Sequence, residues 1–267
     1  MSDSIALFAR RMRMPIALFR IEGGYGIHPR WSDVVRKGKM RAYVSRVIQP
    51  EKYEQMTDAE LFEIIEKGLY VDEAVADCAF RHKKLAEYLE RALYVCPFCG
   101  LSTFESHKDT VTCKKCGRTV RYLPTKELEG VGFDLPYRFV ADWYDAQEDF
   151  INALDVTKYD TEPLYVERGD FYEVIPCERK DLIEKNVEIK LFGNRLELLV
   201  NGETQIYSFD DRVTLTVLGK NKINIYHGDK LYQIKSDKRF NALKYVHIYH
   251  RYKNIVKGEE HVKFLGL

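Results

Sequence analysis

Residues 95–122 read VCPFCGLSTFESHKDTVTCKKCGRTVRY, and the fold turns on them. They carry two Cys-x-x-Cys pairs, Cys96/Cys99 and Cys113/Cys116, each followed by a glycine, Gly100 and Gly117. Two residues between thiolates let both sulfurs point at one ion from a tight turn, and glycine accepts the positive φ such a turn requires. Thirteen residues separate the pairs, enough for a hairpin that carries the second turn opposite the first. The spacing predicts one tetrahedral four-cysteine site, and soft thiolates favour Zn2+. Sulfur fills all four positions, which leaves no place for a catalytic water, so the zinc is structural. His107 falls inside the loop but outside the ligand set. A redox dithiol is the other reading of such pairs. Six cysteines in a chain with no secretory pattern point to metal in a reducing compartment rather than to disulfides.

Downstream of this zinc ribbon, a helix is predicted from Pro136 to about residue 154, with Phe139, Trp143, Phe150, Ile151 and Leu154 as its apolar stripe. From about residue 163 the pattern changes to short alternating runs. Gly193-Asn194, Asn201-Gly202, Gly219-Lys220-Asn221 and His227-Gly228-Asp229 punctuate them with turn chemistry. A last amphipathic helix is predicted over 238–254. Six or seven strands capped by one C-terminal helix is the order of a PH-like β-barrel. The fold class expected is therefore α+β and multi-domain, with segments at 1–93, 94–124 (ribbon), 125–160 (helical linker) and 161–267 (PH-like β domain).

Upstream, residues 4–13 read as a short basic helix ended by Met14-Pro15. "PIALFRI" (15–21) is a continuous apolar run of strand length, the pattern of a strand buried on both faces of an α/β sheet. Residues 39–48 alternate and predict a second strand. Thr57-Asp-Ala-Glu60 is a capping box opening a helix whose apolar face is Leu61, Ile64, Ile65 and Leu69. A further helix is predicted over 73–92, with Cys78 as a buried small side chain.

Net charge is +1, so no overall field selects nucleic acid as a partner. Charge is nevertheless uneven: residues 1–46 hold ten basic side chains against three acids, a surface suited to phosphate groups or anionic lipid. The N-terminal apolar runs "IALFA" and "MPIALF" are split by "RRMR", and neither approaches the ~20 residues of a spanning helix.

The stretch from Met14-Pro15-Ile16 through "PRW…RKGK", the second strand and the capped helix resembles the second half of a glycerolipid acyltransferase domain of the lysophosphatidic acid acyltransferase family. The ribbon, "VADWYDAQEDFINALD" and the β-rich tail resemble an extension carried by one subgroup. The resemblance implies a remnant of an α/β acyltransferase domain. It also implies zinc in the extension, an acyl thioester as donor for the complete enzyme and a lysophosphatidate-like acceptor. A cytoplasmic location, peripheral on the inner face of the membrane, goes with it. In that family a His-x-x-x-x-Asp box precedes the Pro box, with a phosphate-binding Glu-Gly-x-Arg motif between them. His28 and Asp33 have the box spacing but follow Pro15, Pro29 directly follows His28, and no such Arg motif is present. They read as a loop coincidence. The catalytic set is expected to be missing from this chain, which by itself should be inactive. A non-catalytic zinc-ribbon and PH-like protein that binds lipid or protein is the alternative.

Overall fold

The computed structural model describes residues 4–75 and 78–258. Residues 76 and 77, within the helix expected over 73–92, and residues 259–267, the end of the segment expected over 161–267, lie outside that range. The chain forms two units. One comprises residues up to 29, 34–82 and 124–126, and the other comprises 30–33, 83–123 and 127 onward.

The N-terminal unit holds α1 (Ser4–Met12), β1 (Ile16–Glu22), the single-turn α2 (Gly24–Ile27), β2 (Arg41–Ile48), the single-turn α3 (Pro50–Tyr53) and α4 (Asp58–Leu69). Ala6, Leu18, Ile48, Tyr53, Leu61 and Ile65 form its core. The capping box is in place: Thr57 Oγ1 accepts the Glu60 amide, and Glu60 accepts the Thr57 amide at 2.7 Å. Arg10 of α1 donates to Asp58 Oδ1 (2.8 Å) and to the Tyr53 carbonyl (2.8 Å), tying α1 to the start of α4. Helix α4 ends so close to β1 that a Cβ on Gly68 would stand 2.2 Å from Leu18 Cδ1, so a side chain there would push Leu18 aside.

The apolar run 15–21 is not buried on both faces. Strand β1 pairs with β2 alone, antiparallel, in a two-stranded ribbon. Leu18 turns to the core, while Ala17, Phe19 and Ile21 share the other face with Val47, Val44 and Ala42 across the register. Phe19, Ile21, Val44 and Val47 are each about half exposed. The pattern of a two-face-buried strand is thus met on one face only.

The helix expected over 73–92 does not form. The described part is irregular up to a 3-10 turn at Leu89–Arg91, and Tyr88 adopts φ 75°. The reason lies in the backbone donors. The amide of Ala86 goes to the Lys108 carbonyl (2.8 Å) and that of Tyr88 to Ser106 Oγ (2.7 Å), partners in the ribbon rather than four residues back. The helix expected from Pro136 starts instead at Val140, where Asp142 accepts the Phe139 amide at 2.8 Å and fixes the first turn.

The larger unit contains the ribbon strands β3 (Val95–Cys96), β4 (Gly100–Leu101), β5 (Phe104–His107), β6 (Thr110–Cys113), β7 (Thr119–Tyr122) and β8 (Leu128–Gly130), then α5 (Val140–Ala153). Seven strands follow: β9 (Tyr165–Ile175), β10 (Arg179–Leu191), β11 (Arg195–Val200), β12 (Glu203–Ser208), β13 (Val213–Leu218), β14 (Lys222–His227) and β15 (Lys230–Lys235), then α6 (Leu243–Lys257). They form one curled antiparallel sheet in the order β12-β11-β10-β9-β15-β14-β13. A four-stranded meander is followed by a three-stranded one whose last strand returns to pair with β9. Register shifts along the long β9–β10 pair accompany its bend. Alternate residues point inward, among them Phe171, Ile189, Leu198, Leu215, Ile225 and Ile234, and α6 covers them with Tyr245, Ile248 and Tyr249.

This core does not stop at residue 161. Tyr94 and Val95 from the ribbon, Ile151 from α5 and Val156 belong to the same buried cluster. The pieces expected separately at 94–124, 125–160 and 161–267 therefore share one packed interior. The first expected segment, 1–93, is also divided, because residues 83–93 pack with the ribbon unit.

Candidate metal centre

The sulfurs of Cys96, Cys99, Cys113 and Cys116 lie within 4.8 Å of one another. Cys96 Sγ is 3.7 Å from Cys116 Sγ, and Cys99 Sγ is 3.6 Å from Cys113 Sγ. A tetrahedron with a Zn–S distance of about 2.3 Å has an S···S edge of about 3.8 Å. A disulfide would bring two sulfurs to about 2.05 Å. The donor set therefore fits one tetrahedral thiolate-bound ion and not a pair of disulfides.

Local backbone makes this arrangement. Gly100 has φ 74° and Gly117 φ 73°, the positive values a knuckle turn needs. The Gly117 amide donates to the Cys113 carbonyl at 2.9 Å, closing the second turn. Strand β3 pairs with β4 through Cys96 and Gly100, and β6 ends at Cys113, so each pair is set on a strand end. Around the sulfurs, the amides of Phe98 and Cys99 donate toward Cys96, and the Arg118 amide donates toward Cys116. Ser102 Oγ lies 3.0 Å from Cys113 Sγ, and Lys115 Nζ donates to the Cys99 carbonyl at 3.0 Å. Such outer contacts orient thiolate ligands.

Burial pushes the Cys99 thiol well up, and the three neighbouring sulfurs add to it. At Cys116 burial acts the same way, but the Arg118 donors and the adjoining thiols outweigh it and hold the group at about 6. Four thiolates packed this closely repel one another, and a cation in their midst removes that repulsion. With an ion bound, Cys96, Cys99, Cys113 and Cys116 would hold it, and it would supply cross-linking of the two turns rather than an open coordination position.

The centre is anchored by residues that spacing does not single out. Gln147 of α5, fully buried, accepts the amides of Tyr94 (2.8 Å) and Val95 (3.0 Å) and donates to the Ala92 carbonyl (3.1 Å). Trp143 Nε1 donates to the Val95 carbonyl at 2.8 Å. His107 ends β5 exposed and is not one of the four grouped ligands. The ribbon's basic side chains have local uses: Lys114 pairs with Glu105, Arg121 with Asp109 and Glu129, and Arg118 lies over the Phe98 ring at 4.3 Å.

The His-x-x-x-x-Asp motif resolves into other duties. Asp33 accepts both Arg91 Nη1 (3.0 Å) and Nη2 (2.8 Å), and Lys220 Nζ lies 3.1 Å from the same carboxylate. The Arg91 hydrogen bonds outweigh partial burial and hold Asp33 at about 2. Arg91 is itself buried, so Asp33 serves as its counter-charge. His28 caps α2, its amide donating to the Gly24 carbonyl at 2.9 Å. Cys78 is half-buried, and its sulfur accepts the Lys39 amide at 3.3 Å.

Compared with protein-family models and with curated proteins, the chain matches none. Among the described residues no helix is long and apolar enough to cross a membrane.

Proposed function

We propose that this chain is a zinc-braced part of a glycerolipid acyltransferase-like protein that seats it on an anionic membrane and contributes surface rather than chemistry. One observation carries the reading: the exposed side of α1 is apolar and cationic together. On α1, Ala6 is buried while Leu7, Phe8 and Met12 stand exposed beside Arg11, with Arg13 and the exposed Met14 following. Apolar side chains with arginines among them suit the boundary of headgroups and acyl chains. A second apolar surface, on the side of the β1–β2 ribbon away from Leu18 and α1, carries Phe19, Ile21, Val44 and Val47. Of the basic side chains in residues 1–46, Arg36 is buried and Arg10, Arg13 and Arg41 pair with Asp58, Glu54 and Glu22, so the attraction to an anionic leaflet is local to the α1 end rather than spread over the unit.

The family part of the reading is supported by the order of features around this face: Pro15 directly ahead of β1, a glycine-bearing turn, β2, and α4 behind its capping box. The strand order with the covering helix supports a PH-like assignment for the curled sheet. The geometry of the four cysteines supports a structural Zn2+. Acyl transfer is assigned to no residue of the chain, because Asp33 is committed to Arg91 and Lys220.

The test is cosedimentation with phosphatidylcholine vesicles, with and without phosphatidylglycerol, at low and high salt. The chain is expected to pellet with the anionic vesicles at low salt and to be released as salt rises. Leu7→Glu/Phe8→Glu should abolish pelleting without unfolding the protein, since both side chains are exposed. Wild-type protein that stays in the supernatant with phosphatidylglycerol vesicles at low salt would overturn the reading. Acyl transfer to a lysophospholipid that disappears in His28→Ala would overturn its non-catalytic part.

A further inference from the structure

The curled sheet has a second face, opposite Phe171, Ile225 and Ile234, and on it three lysines crowd together. Lys222 of β14 and Lys235 of β15 are direct cross-strand partners. Like charges directly opposite one another destabilise an antiparallel pair. Among the described residues neither makes an ion pair, and the register sets Asp170 opposite Lys235. From β10, Lys180 reaches across the same face. Its ammonium lies 3.7 Å from the centre of the Tyr172 ring and donates to Gln233 Oε1. Gln233 Nε2 in turn donates to Asn224 Oδ1 at 2.8 Å. Gln233 and Asn224 are only 5% and 7% exposed, so the floor beneath the lysines is polar, hydrogen-bonded and fixed.

Asp170 attracts Lys180. It is already used: the Asn186 amide donates to it at 3.1 Å and the Tyr172 hydroxyl at 3.4 Å. Three ammonium groups, on β10, β14 and β15, thus share a face on which Asp170, the carboxylate opposite Lys235, also serves other donors. Such an arrangement costs stability in the free protein, and the cost is returned when an anion settles among the three donors. We propose that Lys180, Lys222 and Lys235 form a binding site for a phosphomonoester group. A dianion with three exposed oxygens can meet three ammonium donors at once, whereas the phosphodiester of an ordinary phospholipid offers one charge and two free oxygens.

The group can come from a soluble phosphate ester or from a lipid with a terminal phosphate. The site uses residues of the larger unit and is independent of the apolar, basic face of the N-terminal unit.

The full-length protein is titrated with inorganic phosphate and with glycerol 3-phosphate, read by calorimetry and by thermal melting. Each probe is expected to raise the melting temperature of wild-type protein. Lys222→Gln/Lys235→Gln should weaken binding at least tenfold and, without ligand, melt at the same temperature or slightly above it, because a repulsion has been removed. Lys222→Gln alone should give an intermediate loss. A vesicle arm separates the sources. If phosphatidate vesicles bind more tightly than phosphatidylglycerol vesicles, and the double variant loses only that excess, the lipid phosphate is the ligand. If vesicle binding is unchanged while glycerol 3-phosphate binding falls, the soluble ester is. Phosphate probes that bind wild type and double variant alike, or bind neither, overturn the proposal. Retained binding to phosphatidylglycerol vesicles in the double variant keeps that failure distinct from a failure of the membrane-seating reading.

Discussion

The two units differ in how far their own sequence completes them. In the larger unit, inward residues from seven strands, α5, α6 and the ribbon close on one another, and buried charges find partners. Lys244 is buried and pairs with Glu167 at 2.8 Å over the Tyr165 ring. Arg239 bridges Glu87 and Glu90. In the N-terminal unit the described core cluster has six side chains, with Phe80 buried apart from it, and most of the large exposed apolar residues among those described lie there although that unit is much the shorter. The proposed membrane seating rests on this contrast, since exposed apolar side chains concentrated in one unit mark a candidate interaction surface.

The largest expected effect strikes the finished unit. Structural zinc supplies an apparent binding energy of about 10 kcal/mol or more in small ribbons. Cys113→Ser, or exhaustive chelation, is expected to remove one zinc per chain, measured by elemental analysis. It should also lower the melting of the whole larger unit, because Tyr94 and Val95 sit in the core shared with the sheet. A cysteine variant that leaves the sheet melting as before would restore the ribbon and sheet as separate domains.

The next effect is a pH dependence of the same unit. His247 is enclosed by Tyr94 (Oη to Nδ1, 2.6 Å) and Tyr144 (Oη to Nε2, 3.1 Å), and burial, with His250 nearby, pushes it down to about 3. An ordinary histidine titrates near 6.5. Between these values only the unfolded chain takes up the proton. The contribution is therefore complete above about pH 6.5 and drains away as pH falls toward 3, by at most about 1.4 kcal/mol per pH unit. His247→Gln should flatten the slope of melting temperature against pH in that window, whatever it does to the absolute value. An unchanged slope would show that this histidine is not the group responsible.

The smallest effect belongs to the N-terminal unit. Thr57→Ala removes the capping box of α4 and should cost about 1 kcal/mol. Seen by urea denaturation of that unit with the larger unit still folded, it would sharpen the contrast. A loss shared by both units would blur it.

What can be read in the sequence follows the same division by range. The knuckles, the capping box and the alternating strands are written within a few residues of themselves, and Cys96 to Cys116, Thr57/Glu60 and β9 to β15 stand where the pattern puts them. The 73–92 segment misleads because its helix-like spacing competes with donors it gives to Lys108 and Ser106, a tertiary preference with no local mark. Gln147, Lys244 and His247 are invisible for a similar reason. Each looks like a surface residue until partners tens of residues away bury it. The bare face of β1–β2 is the converse case, a pattern that calls for burial on both sides and receives it on one.

The most direct measurement of that contrast is hydrogen exchange of the full chain with and without phosphatidylglycerol vesicles. New protection is expected in residues 7–14, 16–22 and 41–48, with residues 165–235 unchanged. No added protection in the N-terminal segments, or protection confined to the curled sheet, would contradict the assignment of the unfinished surface to an anionic membrane.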